Sequence, residues 1–247
     1  MIPYASCMKE PVVMSWSGGK DSAMALQELL RSGKYEVVSL LTSVSEEYRR
    51  ISHHGVRESL LDEQAKAIGI PLRKVYLPSG PAGGCTNDVY ESIMKDVMLA
   101  YRRDGIHTVA FGDLFLQDLR AWREANLARL GMRGIFPVWK RETREFAREV
   151  IALGYKAILS CAEGRVGAGA VGREYNEAFL RDLSPDVDPC GENGEFHSFV
   201  YDGPIFQGPI SVRVGEVVAR DGRYYADLVP GTAEPVEKCD AGMFPPV

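Results

Sequence analysis

Pro11-Val12-Val13-Met14-Ser15-Trp16 runs directly into Ser17-Gly18-Gly19-Lys20-Asp21-Ser22, and the stretch from Ser22 to Ser32 carries apolar residues at helical spacing up to Gly33. A β-rich run, a glycine turn and an amphipathic helix in that order open an α/β unit. The turn aims the helix's first N–H groups and its positive dipole end at one point, which suits a phosphate. Two glycines let the backbone approach an anion closely, Ser17 and Ser22 add hydroxyls, and Lys20 neutralises charge. Asp21 is placed to reach a magnesium ion, directly or through water. The bland reading is a glycine turn capped by serine. Position favours the phosphate, because nucleotide sites form at the carboxyl ends of strands in such sheets. The loop is not GxxxxGK followed by Ser or Thr, since Lys20 precedes Asp21 and the loop is shorter, so γ-phosphate transfer is disfavoured.

The alternation continues from this loop. Glu36 to Thr42, Leu72 to Leu77, Thr108 to Phe111, Ile135 to Val138 and Ala157 to Cys161 read as strands. Helical periodicity fills Arg57 to Ile68, Asn87 to Arg103, Leu116 to Leu130 and Thr143 to Leu153, with Gly69 as a stop signal and Asn87 as a cap. The expected fold is therefore α/β, a five-stranded, mostly parallel, doubly wound sheet, followed by a smaller C-terminal α+β unit. Residues 1–161 form the first unit and 162–247 a second that closes over the site, with the change of pattern near 162–185. Pro78 to Gly84 reads as a Gly/Pro loop, and Glu174 to Leu183 as one more helix. Asp221-Gly222 is a two-residue hairpin signal, Asn193-Gly194 a second tight turn, and GMFPPV at the end a tail.

Composition narrows the function. The chain has 247 residues, 45% of them hydrophobic, enough for a core, and its formal charge of −5 argues against a general nucleic-acid coat. No apolar run reaches the roughly 18 residues of a membrane span, and MIPYASCMKEP has no signal-peptide pattern, so a cytoplasmic protein is expected. Cys7, Cys85, Cys161, Cys190 and Cys239 are odd in number and scattered, which fits reduced thiols.

Further candidates lie at predicted strand ends. Gly112 and Asp113 end strand four, beside strand one, where Asp113 faces phosphates or their magnesium; capping the next helix is its alternative role. Arg120 and Arg123 follow on that helix, where a guanidinium can hold a phosphate or carboxylate, though exposed helix arginines are common. His53, His54 and Arg57 sit after strand two, near either substrate or solvent. Asp186, Asp188, Glu192 and Glu195 lie among Phe196, His197, Phe199 and Tyr201, a mixture of carboxylates and aromatic faces that suits a cation; an acidic turn before a half-buried strand is the alternative. His197 fits either a base that deprotonates ammonium or a strand histidine. Gly167 to Gly172 spells GxGxxG, but no strand ending in an acidic residue follows at the required distance, so a dinucleotide site is rejected.

The SGGKDS loop resembles the pyrophosphate loop of the N-type ATP pyrophosphatases, whose adenine nucleotide α-hydrolase-like fold matches the sheet expected here. Together with HHGVRESLLDEQAKAIGIP (53–71), FGDLFLQDLRAWRE (111–124) and CGENGEFHSFVYDGPIF (190–206), it resembles the diphthine–ammonia ligase family. That resemblance implies an AMP-forming ligase using ATP and Mg2+. A carboxylate, diphthine on elongation factor 2, becomes an acyl-adenylate, and ammonia displaces AMP. On this reading Ser17 to Ser22, Gly112 and Asp113 bind the nucleotide, and Asp21 and Asp113 hold magnesium. Lys20, Asp21, Asp113, Glu192 and Glu195 serve catalysis, and His54, Arg57, Arg120, Arg173, Glu192, Asn193 and Glu195 contact substrate. It also implies a mobile loop matched best at Gly172 and Arg173. Diphthine belongs to archaea and eukaryotes, so a bacterial chain would need another acceptor. That acceptor is a small carboxylate, or a thiolation target with Cys85, Cys161 or Cys190 as sulfur carrier; a non-hydrolysing nucleotide sensor is a third reading. Nucleic acid and membrane are not expected partners, and a homo-oligomer is left open.

Overall fold

The computed structural model describes residues 8–52, 54–79 and 85–231. Cys7, His53, Gly80 to Gly84 of the Gly/Pro loop, Cys239 and the GMFPPV tail lie outside the described residues. Strands β1 (Glu10–Ser15), β2 (Tyr35–Ser45), β3 (Leu72–Leu77), β4 (Thr108–Ala110) and β5 (Arg133–Ile135) form one sheet in the order β3-β2-β1-β4-β5, every pair parallel. This is the expected doubly wound sheet. The order reverses at β1, so the β1 and β4 ends open a crevice at the switch point.

Helices α1 (Lys20–Ser32) and α2 (Glu58–Ile68) pack on one face, while α3 (Asn87–Arg103) and α4 (Gln117–Arg129) pack on the other with a separate apolar cluster around Val13, Val109 and Leu127. Glycines end the first two helices: Gly33 and Gly69 hold φ of 66° and 81°, where an L side chain is strained. The larger core lies between α1, α2, α5 (Thr143–Ala152) and a second sheet.

That second sheet contains β6 (Lys156–Glu163), β7 (Phe196–Asp202), β8 (Val212–Arg220) and β9 (Arg223–Pro230), antiparallel throughout in the order β7-β6-β9-β8. Residues 157–161, expected to close the parallel series, instead begin this sheet. A fully buried apolar run looks the same in either setting, and here its partners are Ala157↔Val200 and Cys161↔Tyr225. The change of sheet thus lies between Ile135 and Lys156, ahead of the composition shift.

Two further expectations move. The fifth strand is Arg133–Ile135 rather than 135–138, because Pro137 has no N–H to continue a ladder. The helix expected from Glu174 is α6 (Glu177–Asp182), since the Asn176 side chain accepts from the Phe179 N–H and sets the start there. The β8–β9 hairpin turns at Asp221-Gly222, with φ of 49° and 75°. Among the described residues no helix is long and apolar enough to cross a membrane.

Candidate functional site

Met14 and Ser15 end β1, and Gly18 turns the chain with φ of 77° into α1, whose N-cap is Gly19. Within the turn Ser17 Oγ donates to Ser22 Oγ, and Ser22 Oγ bonds the Gly19 carbonyl at 2.9 Å. Gly19 offers no side-chain cap of its own, and its N–H donates to Ser17 Oγ at 3.3 Å.

The loop is braced from outside by groups that sequence reasoning missed. Gln64, fully buried on α2, donates from Nε2 to the Gly18 and Val200 carbonyls at 3.0 and 2.6 Å, while its Oε1 accepts from Trp16 Nε1 at 2.9 Å. Val200 N–H donates to the Gly18 carbonyl, and Lys20 N–H donates to Ser198 Oγ at 3.2 Å. Strand β7 therefore borders the loop directly. The sequence did hold one clue, because Gln64 is the polar member of an otherwise apolar stripe of Leu60, Leu61, Ala65 and Ile68.

Around the loop is a cleft of about 480 Å³. Ser17, Gly19, Lys20, Asp21, Ser22, Gly112, Asp113, Glu192 and His54 all line it, so most of the predicted constellation converges. Gly112 must be glycine, since a Cβ there would lie 2.9 Å from the Asp21 carbonyl carbon and the Ser22 nitrogen. Asp113 stands at the end of β4 in an ion pair with Arg123 at 2.9 Å, and Arg123 lies over the Phe111 ring. Oδ1 of Asp21 is buried with no hydrogen-bond partner, and Asp113 Oδ2 faces Arg123 without an aligned hydrogen bond. Both oxygens suit a cation. Among the described residues there is no group of three or more His, Cys, Asp or Glu that could hold a metal ion.

Lys20 lines the cleft with its ammonium engaged by the protein. Its ammonium is buried, donates to Asp21 Oδ2 at 2.9 Å and to the Cys190 carbonyl, and lies 5.5 Å from the ring centres of Tyr175 and Phe196. Burial is the largest single influence and would lower its pKa, but Asp21, Cys190 and Glu192 together outweigh it and hold Lys20 above its usual value. Lys20 thus sets a cation of the protein's own beside Phe196 of the acidic and aromatic segment. Burial of Asp21 in the same cleft raises its carboxyl against that attraction. Glu192 accepts from the Leu114 N–H at 3.1 Å; burial, reinforced by Asp21, pushes its carboxyl up to about 8.

Other candidates are engaged elsewhere. Glu195, buried, accepts from the N–H groups of Asp188 and Asn193 and from Asn193 Nδ2, shaping the 188–195 turn. Burial would raise its carboxyl, but the Asn193 side-chain bond and these amides hold it low. Neither Asn193 nor Glu195 lines the cleft. Arg57 binds Asp227 at 2.7 and 2.8 Å, Arg120 pairs with Glu124 between Phe136 and Trp139, and Arg173 pairs with Asp182 at 2.6 Å. Phe199 is core, and Tyr201 donates to Glu174. His54 and His197 stack at 4.2 Å on the cleft wall, and Arg223 lines the cleft from β9.

The three described cysteines are poor nucleophiles, because burial raises the thiols of Cys85, Cys161 and Cys190. Cys190 Sγ donates to the Thr143 carbonyl.

The chain matches family models described as the diphthamide synthase N-terminal domain, over residues 8–134, and the diphthamide synthase C-terminal domain, over residues 142–228. It is 27% identical to a mouse (Mus musculus) diphthine–ammonia ligase over 243 residues, covering 86% of both chains. Identity to the human (Homo sapiens) diphthine–ammonia ligase is 25% over 243 residues, again with 86% of each covered. Among solved structures, a tRNA thiolase, NcsA from Methanococcus maripaludis, overlaps 60% of this chain and 59% of its own, at 19% identity and a TM-score of 0.38.

Proposed function

Since the chain belongs to the diphthamide synthase family, we propose that its cleft binds ATP with magnesium and amidates a carboxylate through an acyl-adenylate, with ammonia as the nitrogen source. The acceptor in this reading is diphthine, as the names of the mouse and human relatives suggest, carried on elongation factor 2 as the family resemblance implies. The observation that carries it is the convergence of the Ser17–Ser22 loop, Asp113 and Glu192 on one cleft at the switch point of the sheet.

The β and γ phosphates rest on the α1 start and the Ser17 and Ser22 hydroxyls. The base lies toward the apolar wall of Leu41, Tyr90, Met94 and Phe111. Asp21 and Asp113 are the groups that would hold magnesium, which when bound offsets phosphate charge. The acceptor carboxylate oxygen attacks the α phosphorus, the bond to the β-phosphate oxygen breaks, and pyrophosphate leaves. Ammonia then attacks the acyl carbon, the bond to the AMP oxygen breaks, and the nitrogen sheds its extra proton to solvent. Lys20 acts through position in this scheme. It ties Asp21 to the Cys190 carbonyl and so fixes the 190–196 turn, which carries Glu192, beside the loop. The raised thiols of the described cysteines argue against a sulfur carrier among them.

The test is release of AMP and pyrophosphate from magnesium ATP, with and without ammonium and diphthine-bearing elongation factor 2, in wild type and Asp21→Ala. Release that needs both additions and vanishes in the variant is expected. Pyrophosphate release indifferent to elongation factor 2 would discard diphthine as acceptor, and tight ATP binding without AMP would discard catalysis altogether.

A further inference from the structure

A second cavity meets the cleft at the carboxyl edge of the parallel sheet. It holds about 530 Å³ between α3 and α4, and Leu41, Tyr90, Met94, Phe111 and Arg123 line both spaces. Each volume suits one small-molecule group, and the proposed reaction must bring a nucleotide and an acceptor together. The shared wall also fixes a direction. With the β and γ phosphates on the α1 start and the base against Leu41, Met94 and Phe111, the α phosphate lies between them. In-line displacement brings the attacking oxygen in opposite the departing pyrophosphate, which is the side of this wall. An acceptor carboxylate therefore arrives from the α3–α4 side.

The end of that cavity nearest the cleft has its own chemistry. As crossover helices between parallel strands, α3 and α4 begin at the carboxyl edge, so their opening turns lie nearest the cleft. Tyr90 and Trp122 pair across the two helices, with 6.2 Å between ring centres and 29° between planes. Trp122 Nε1 donates to Glu91 Oε1 at 3.1 Å, which orients the indole, and Asp88 lines the cavity about one turn before Glu91. Trp122 is 39% exposed, a large ring surface left open beside the cavity. The cations on this lining are set apart from the ring pair. Arg123 is paired with Asp113, Lys95 lies one turn beyond Glu91 along α3, and Arg129 two turns beyond Trp122 along α4. Two aromatic faces beside two carboxylates attract a cation, and a methylated ammonium suits them best.

We propose that Tyr90 and Trp122, with Asp88 and Glu91, seat the quaternary ammonium of the acceptor, which enters through the α3–α4 cavity. This rests on the amidation reading and deepens it by giving the acceptor a site. In diphthine the carboxylate sits on the carbon that bears the ammonium nitrogen, so a head group seated at Tyr90, on the shared wall, leaves its carboxylate at the cleft. The acceptor class that fits is a carboxylate with a methylated ammonium on the adjacent carbon.

The experiment follows AMP formation against the concentration of diphthine-bearing elongation factor 2, with ATP binding by calorimetry and thermal melts, in wild type, Trp122→Ala and Trp122→Phe. Trp122 lines the second cavity and not the cleft, so Trp122→Ala should raise the acceptor KM about 2- to 30-fold and leave ATP affinity within about twofold of wild type. Trp122→Phe keeps a ring face and should raise it less. An unchanged acceptor KM overturns the proposal, as does an ATP affinity that falls in parallel, which would give the cavity to the base. If the melts show Trp122→Ala unfolded, Trp122→Leu decides by the same criteria. A second measurement needs no turnover: saturation-transfer NMR on the methyl protons of trimethylglycine and of 3,3-dimethylbutanoate, its isostere with an uncharged head. Transfer to trimethylglycine that is absent for the isostere and lost in Trp122→Ala is expected, and equal transfer to both, or transfer undiminished in the variant, overturns the cation site. A wild type that makes no AMP with this acceptor sinks the amidation reading, and the NMR comparison then still decides the cation site, whereas turnover with unaltered variants sinks the cation site alone.

Discussion

Asp227 joins the two halves of the molecule, and its removal has a calculable cost. It is buried on β9, and its Oδ1 accepts from Arg50 Nη2 and Arg57 Nε, each at 2.8 Å, while Oδ2 accepts from Arg57 Nη2 at 2.7 Å. Arg50 is 2% exposed and also donates to the Gly55 carbonyl at 2.8 Å. Asp227→Ala would strip a buried guanidinium of its carboxylate, a loss of about 3 to 5 kcal/mol. For a chain of this size each kcal/mol moves the melting temperature by about 2 to 4 °C, so a fall of about 6 to 20 °C is expected. The acid limb adds a second readout. Burial would raise the Asp227 carboxyl, but Arg57 and Arg50 outweigh burial and hold it below the usual range. Its contribution is therefore present above the unfolded value near about 3.9 and is lost as pH falls through the lower folded value. Wild type should lose that increment below about pH 4, where Asp227→Asn has none to lose. Thermal melts of both variants between acid and neutral pH measure the two effects. A loss under about 1 kcal/mol at neutral pH would refute the buried clamp and mark these as surface-strength contacts.

Gly112→Ala forces a Cβ against the first turn of α1, so it should cost about 1 to 3 kcal/mol of stability and weaken nucleotide binding, read by melts and calorimetric titration. Because the Glu192 carboxyl is raised from 4.5 to about 8, its effect on stability is favourable below pH 4.5 and is lost as pH rises to 8; Glu192→Gln should flatten that slope in metal-free melts and gain on wild type at pH 8. Gln64→Leu leaves the buried carbonyls of Gly18 and Val200 without their amide donor and should cost about 1 to 3 kcal/mol, with an ATP affinity that falls more than that of Asp227→Asn. Peptides carrying Cys85, Cys161 and Cys190 should alkylate slowly at pH 8 in the folded protein, as mass spectrometry would show; rapid labelling of any one would revive it as a sulfur carrier.

What the sequence made legible was local chemistry with a short range. The strand, the glycine turn and α1 are encoded within two dozen residues, and Leu72–Leu77 and Asn87–Arg103 fall where periodicity puts them. Gly112, Asp113 and Glu192, singled out by residue type and position at an element end, line the same cleft as the loop. What the sequence did not make legible shares a cause, which is that pairing partners lie far away in the chain. Nothing within 156–163 distinguishes a parallel from an antiparallel neighbour. The Cys190 carbonyl that the Lys20 ammonium meets lies 170 positions on, where no local pattern points to it. The Asp227 carboxylate that Arg57 pairs with is again 170 positions away. Glu195 and Asn193 carry the right chemistry for a ligand, but the tight turn between Gly191 and Gly194 spends it on the turn's own amides.

The bonds from Val200 and Gln64 to Gly18, and from Lys20 to Ser198, bear on how portable this nucleotide site is. A loop whose carbonyl and amide are answered by a strand some 180 positions later is not a self-contained cassette. The parallel sheet expressed alone would carry every residue of the SGGKDS signature and still lack the surface that shapes it. Grafting the signature onto another α/β scaffold would meet the same obstacle. Substitutions in β7, even at positions remote from any substrate, should therefore disturb the Ser17–Ser22 loop and, on the proposed function, register as defects in nucleotide handling.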